Sequence, residues 1–412
     1  MKTLLFMTSV FCLTFSYGQN LSPIFEDTIN VGHQINISSF NFYASNSFNN
    51  SLTNTFIFGG NISNELKDYN KSKLRNPNTL GGKAEQKIEY VNFNITPFKK
   101  LKKFGLVISL EDINFLSSNI STDLYNTMFY GNSDYLGDTM NFSHSHLQYL
   151  HYQKLSIGLI DKKLNSSLKL GFVMGTKSID YRLGSTWMSS SPVADSIQLS
   201  LNGEGYYTAN TSNYFDSKGY GFSFDFEHNI IYKNKKDKNQ VIKFTMGNIG
   251  LIFWDRNTNY QYADSKTTYS GFDIMNLINR DTSNPPLSLD TLKIHTKTKS
   301  QVKLLPFELS MQKLANRYSD EKFQLTFGLK AIISSDYRPY IFVGGYYSPN
   351  QKLGISSRLA YGGFGGFKIG LNANYWIKDK FEIAIGTYDV IGFASNKLGY
   401  GKSLHLSASI KF

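Results

Sequence analysis

The chain has 412 residues, a net charge of +12 and an aromatic content of 15%, with 27 Tyr and 32 Phe. A basic balance can serve nucleic acid, but here the lysines gather in short runs such as Lys99-Lys100-Leu101-Lys102-Lys103, between apolar alternations, and no nucleic-acid module is recognisable, so nucleic acid is set aside as a partner. Cys12 is the single cysteine, which rules out an intrachain disulfide framework.

Lys2, the apolar run from Leu4 to Phe15 and the small residues of Ser16-Tyr17-Gly18 predict a signal peptide over residues 1–18, cut before Gln19. The run is shorter than the ~20 apolar residues of a membrane-spanning helix. Cys12 lies inside it without a lipobox, so no lipid anchor is expected. Residues 19–34 are read as an N-terminal segment that plugs a lumen, and residues 35–412 as one domain.

That domain is built of period-two alternations. Phe104, Leu106, Ile108 and Leu110 share a face opposite Gly105 and Ser109; Leu168, Leu170, Phe172 and Met174 oppose Lys169 and Gly171. The pattern returns in Phe323 to Ala331, in Phe367 to Tyr375 and in Phe381 to Ile385, with Lys, Glu, Asn and Gln on the second face. It ends at the terminus, where Leu404, Leu406, Ala408, Ile410 and Phe412 alternate with Ser403, His405, Ser407, Ser409 and Lys411. A strand sends alternate side chains to opposite faces, so each segment has an oily side and a wet side. A mean hydropathy of −0.29 agrees with a lumen and loops that are hydrated.

The connections are of two kinds. Short ones cover Pro97 to Lys103, Asp161 to Ser167, Lys233 to Gln240, Pro349 to Lys352 and Lys378 to Lys380. Long ones run from Asn61 to Glu85, Asp112 to Ser143, Tyr181 to Lys218 and Asp255 to Ser300. Alternating short and long connections are those of an all-β, up-and-down antiparallel barrel with short periplasmic turns and long external loops. About fifteen candidate strands can be marked, and single-chain bacterial barrels have even numbers, so the expectation is about 14, in a range of about 12–16, with the surplus between Ile35 and Gly60. The terminal strand carries the barrel-insertion signal, at Leu404, Leu406, Ile410 and Phe412.

Four phrases carry a resemblance: Asn248-Ile249-Gly250-Leu251-Ile252-Phe253-Trp254 before a long loop, Tyr269-Ser270-Gly271-Phe272-Asp273 inside it, Leu304-Leu305-Pro306-Phe307 opening the next strand, and Tyr361-Gly362-Gly363-Phe364-Gly365-Gly366 in a late hairpin. With the ending, the chain resembles an uncharacterised family of Bacteroidetes outer-membrane barrels, a domain of unknown function, which is similar to long-chain fatty-acid transporter barrels and PorV-type barrels of type IX secretion. The resemblance implies a cell outer-membrane location, outer-membrane lipid and the barrel-insertion machinery as partners, and no catalytic residues.

Candidate chemistry is sparse. His144 and His146 share a strand face, with His151 on the other, and no third ligand of the same parity is evident, so no metal site is expected. Trp254, Asp255 and Arg256 could grip an anionic ligand at a pore rim; the plainer reading puts Trp254 in an interfacial aromatic girdle and the two charges at the start of a loop. The glycines of residues 361–366 are flanked by strands on both sides, which makes a tight hairpin and not a phosphate cradle. No G-x-S-x-G elbow occurs. The expectation is a protein without enzyme activity and without cofactor that passes a hydrophobic or amphipathic small molecule. The alternatives are an accessory barrel that docks proteins of secretion or cell-surface machinery, and a membrane-bound hydrolase with no nameable nucleophile.

Overall fold

The structure, a computed structural model, describes residues 24–25, 32–97, 100–208, 216–233, 239–269, 293–333 and 336–412. The signal peptide and most of the plug segment 19–34 lie outside the described residues, as does most of the phrase 269–273; His33 and Gln34, read as plug, belong to the first wall strand. In chain order, a short β1 (Ile24–Phe25) is followed by β2 (His33–Ser45), β3 (Asn78–Asn92), β4 (Phe104–Ile120), β5 (Thr139–Asn141), β6 (His146–Asp161), β7 (Ser167–Leu183), β8 (Trp187–Ser190) and β9 (Ile197–Tyr207). Then come β10 (Gly219–Lys233), β11 (Asn239–Trp254), β12 (Asn259–Tyr269), β13 (His295–Thr298), β14 (Gln301–Leu304), β15 (Phe307–Asn316) and β16 (Phe323–Ile333). The last are β17 (Arg338–Asn350), β18 (Leu353–Gly363), β19 (Phe367–Ile377), β20 (Phe381–Thr387) and β21 (Gly401–Lys411).

Fourteen wall strands pair antiparallel in sequence order, skipping β5, β8, β9, β12 and β13, and the wall closes where β2 meets β21 from Gln34↔Lys411 to Ala44↔Gly401. β14 and β15 count as one wall strand. Pro306 has no N–H to give to the ladder and interrupts it, and both pieces pair with β11. The surplus strand expected between Ile35 and Gly60 resolves into β2 and the helix α1 (Asn50–Phe58).

Side-chain parity is inverted relative to a water-soluble protein. Leu168, Leu170 and Phe172 are exposed on the outer surface, while Lys169 on the same strand is buried. Likewise Phe323, Leu325 and Phe327 are exposed while Gln324, Thr326 and Lys330 are buried, and at the terminus Leu404 and Ile410 face out while Ser403, His405 and Ser407 face in. A closed sheet leaves no edge of unpaired backbone, and an apolar outer band on such a sheet is the solution for crossing a bilayer with strands.

Two boundaries of the long loops differ from the sequence reading. β3 already spans Asn78–Asn92 and β4 continues to Ile120, so residues 78–85 and 112–120 are wall and not loop. The reason is physical. About ten tilted residues cross the apolar band, and these strands carry 15 and 17. Their extra length has a polar outer face at Gln86, Asp112 and Asn114, which imitates a loop in sequence.

On the side of the long connections, α1, α2 (Asn64–Lys71) and α3 (Thr122–Tyr130) lie above the wall, each started by a side-chain cap, from Asn49, Ser63 and Ser121. There β9 leaves β7 and pairs with β12, which pairs with β13. The glycine-rich hairpin between β18 and β19 turns inward. Gly362 and Gly363 adopt φ of +113° and +71°, which only glycine takes without strain. Their turn drives Phe364 into a fully buried cluster with Ala44, Phe115 and Ile332. A Cβ on Gly81 would overlap the Phe364 ring, so that glycine is space for the plug-like phenyl group.

Candidate functional site

The lumen divides into two unlike halves. The first, lined by β3 to β11 and β15, is filled by an ionic lattice. Strand β3 alone contributes Lys83, Glu85, Lys87 and Glu89 at inward positions. Lys83 contacts Glu85 beside it and Glu308 on β15, across the barrel. Lys87 lies 2.8 Å from Glu89, and Lys169 3.1 Å from the same carboxylate. Lys154 is 2% exposed in its side chain and lies 2.7 Å from Glu111, 3.0 Å from Asp225 and 2.8 Å from the Asn248 amide oxygen, so all three ammonium protons have acceptors. Asn248 reaches this place because its φ of 59° swings the strand at an irregularity in the β10–β11 register. Higher up, Lys303 contacts Asp180, and His146 and Ser117 both meet Asp336. Beside the lattice lies an apolar cluster of Ile113, Leu150, Tyr152, Val173, Ile252, Trp254 and Leu305.

The second half, between β2 and β15 to β21, holds a small aromatic cavity of about 50 Å³. Phe40, Phe42, Tyr337, Tyr340, Phe342 and Tyr388 line it, with Arg358, Lys368, Lys330, Ser310, Gln312 and Asp389. Phe40 stacks obliquely on Phe42 and Tyr388, each with ring centroids at 5.2 Å. The Arg358 guanidinium lies 4.4 Å from the Tyr388 centroid and 5.0 Å from that of Phe342. Arg358 is 6% exposed and Lys368 8%, yet among the described residues neither lies within ion-pairing distance of a carboxylate. Every buried lysine of the lattice has such a partner. Asp389, just past β20, accepts a hydrogen bond from Gly392 N at 2.9 Å and caps the short helix that follows. Burial holds its carboxyl above the usual range, opposed by that bond and by Lys368.

Below these, on the side of the short turns, a polar vestibule of about 250 Å³ is lined by Gln34, Asn36, Lys87, Glu89, Glu227, Lys243, Glu382, Ser409 and Lys411. Ser310, Gln312 and Lys330 line both spaces.

The residues singled out in the sequence fall elsewhere. Trp254 does not belong to an outer girdle: it is 2% exposed in the interior cluster, and its neighbour Phe253 faces out. The Asn248 irregularity shifts parity there. Asp255 accepts from Asn257 N in the turn, and Arg256 is exposed; neither lines the aromatic cavity. His144 sits in a turn with φ of 63°, while His146 and His151 point to opposite faces and meet different carboxylates, Asp336 and Asp112. Leu404, Leu406 and Ile410 lie on the outer face of the closing strand, and the exposed Phe412 follows its end. The lattice has a signal in the sequence, the strict charge alternation of Lys83, Glu85, Lys87 and Glu89. The cavity had a fainter one, two phenylalanines at inward positions of β2.

A closed single-chain antiparallel barrel with an exposed apolar outer band and a polar interior is an outer-membrane-type transmembrane β-barrel. No family model and no curated protein sequence matches the chain. Among solved structures, the toluene transporter TodX of P. putida is similar at 9% identity with a TM-score of 0.40, over 96% of this chain and 95% of that one. A FadL homologue of Pseudomonas aeruginosa gives 10% identity and a TM-score of 0.43 over 96% and 97%. The toluene transporter TbuX of Ralstonia pickettii gives 8% and 0.40 over 95% and 92%.

Proposed function

We propose that this barrel admits a hydrophobic or amphipathic small molecule with an anionic end into the aromatic cavity and passes it across the outer membrane. The observation that carries this reading is the pair of buried cations, Arg358 and Lys368, that face an aromatic-walled space and, among the described residues, form no ion pair, with Asp389 the one carboxyl lining that space. A buried unpaired charge is costly, and a ligand carboxylate, sulfate or phosphate would offset that cost. The rings supply apolar contact for the rest of the molecule, at roughly 25 cal/mol per Å² of apolar surface removed from water. At about 50 Å³ the cavity is too small for an acyl chain, so entry has to move side chains. The chain reaches the membrane through a signal peptide cut before Gln19 and is inserted through Leu404, Leu406, Ile410 and Phe412. The part of residues 19–34 that precedes β2 serves as a plug, and the protein has no enzyme activity. The test is uptake: a deletion strain should take up a labelled alkyl carboxylate or sulfate more slowly, and unchanged uptake across chain lengths would refute the reading.

A second reading, a membrane-embedded dock for type IX secretion or other cell-surface proteins, draws on the external sheet. Tyr206 and Tyr260 pack at 4.6 Å there, with Lys297 and Lys299 over the Tyr260 ring. Tyrosine is a strong anchor at contact surfaces. Stoichiometric co-purification of secretion components after crosslinking would favour it over transport.

A further inference from the structure

The aromatic cavity and the periplasmic-side vestibule share three lining residues, Ser310 and Gln312 on β15 and Lys330 on β16. All three have inward parity, and register pairs Ser310 with Lys330 directly. The two spaces are therefore neighbours separated by one constriction, and the separation is made of wall side chains. The Lys330 ammonium is the central part of it: 2.7 Å from Glu308 on the lattice side, and 5.9 Å from the Phe40 ring centroid on the cavity side.

We propose that Ser310, Gln312 and Lys330 form a gated axial passage from the aromatic cavity to the vestibule, with Lys330 as the group that moves. The charge arrangement lets Lys330 leave without orphaning a carboxylate; Lys87 and Lys169 share that freedom, but of the three only Lys330 lines both spaces. Glu308 has two cationic partners, Lys83 and Lys330. When Lys330 swings away, Glu308 keeps Lys83, and no buried carboxylate is orphaned. Lys154 has less freedom: Glu111 would keep only Lys87 at 4.0 Å, and Asp225 would lose its ion pair. Swung toward the cavity, the Lys330 ammonium meets the aromatic faces of Phe40 and the anionic end of a ligand, so the entering molecule itself supplies the exchange partner. The ligand's route is then along the barrel axis, toward Lys87, Glu89 and Lys243 in the vestibule.

The passage rests on the cavity reading for its cargo, but its test needs no cargo. Wild-type protein and the variants Lys330→Ala, Lys330→Arg and Gln312→Ala are reconstituted into liposomes, and efflux of a small neutral solute of about the size of glycerol is measured without ligand. Folding is verified by heat-modifiable migration on gels. The expected result is slow efflux for wild type and Lys330→Arg, at least a tenfold rise for Lys330→Ala, and a smaller rise for Gln312→Ala. Folded Lys330→Ala and Gln312→Ala that leak no faster than wild type would overturn the passage. If Lys330→Ala does not fold, Gln312→Ala decides alone. Failure of alkyl anions to bind wild type would refute the cavity reading and leave the efflux result standing.

Discussion

Replacing Arg358 with Met should separate the anionic end of a ligand from its apolar body. Met keeps much of the stem volume and the contact with Phe342 and Tyr388. It removes a guanidinium that forms no ion pair with a carboxylate among the described residues. At an effective dielectric of about 20, a unit charge pair at about 4 Å is worth roughly 4 kcal/mol. Desolvation of the ligand's anionic group consumes part of this, and hydrogen bonds to charged groups retain a net of about 1.5–3 kcal/mol. A loss of about 2 kcal/mol is a factor of roughly 30 in Kd. The assay is equilibrium binding of dodecyl sulfate and of dodecanol to protein in nonionic micelles, with protein-free micelles as the partition background. The sulfate should weaken about 30-fold and the alcohol hardly at all. An equal change for both would show that Arg358 supports the cavity wall and does not recognise charge, and the argument from unpaired cations would fall.

Three further outcomes follow from the same geometry. Lys154→Met leaves Asp225 buried without its ion pair and Glu111 with only Lys87 at 4.0 Å and should cost about 3–5 kcal/mol, read as a lowered urea midpoint for the folded band on gels; adding Asp225→Asn should restore part of it. Phe364→Ala empties a fully buried site between Ala44, Phe115 and Ile332 and should cost about 3–5 kcal/mol in the same titration, whereas Phe364→Leu should cost less. Asp389 gives a pH dependence: its carboxyl is held high by burial, so its ionised form weakens the fold above its raised pKa, and acidification through that value removes a negative charge from the cavity wall. Binding of dodecyl sulfate, which stays ionised, should tighten as pH falls. Asp389→Asn, which can still cap Gly392, should bind more tightly at neutral pH and lose the dependence; persistence of the dependence in that variant would assign it to another group.

The wall was legible in the sequence because its physics is local. A residue such as Leu170 faces lipid because Lys169 and Gly171 on either side face the lumen, and that relation is written in adjacent positions. The alternation failed where the outer face turned polar, at Asp112 and Asn114, because strands that outrun the apolar band lose their greasy side while keeping their hydrogen bonds. It failed again at Trp254, where one irregular position near Asn248 reverses inward and outward for the residues that follow. The cavity was not legible. Phe40, Arg358, Lys368 and Tyr388 come from four places in the chain and meet only because β2 closes on β21, a contact between residues more than 350 positions apart.

The contrast between the two halves of the lumen is itself an argument about role. Burying five lysines, Lys83, Lys154, Lys169, Lys303 and Lys330, beside the half-buried Lys87, is tolerable because each has a carboxylate within 4 Å. Such a lattice is rigid: each pair is strong only while its geometry holds, and removing one member strands another. A protein that needed only a closed wall could have filled the second half in the same way. There, Arg358 and Lys368 stand among aromatic rings with no counter-charge but a carboxyl, Asp389, that burial pushes toward its neutral form. Unpaired buried charge is retained in folded proteins where something outside the fold completes it. The lattice would therefore serve as the fixed frame, and the aromatic half as the part left for a guest, with Lys330 standing on the boundary between them.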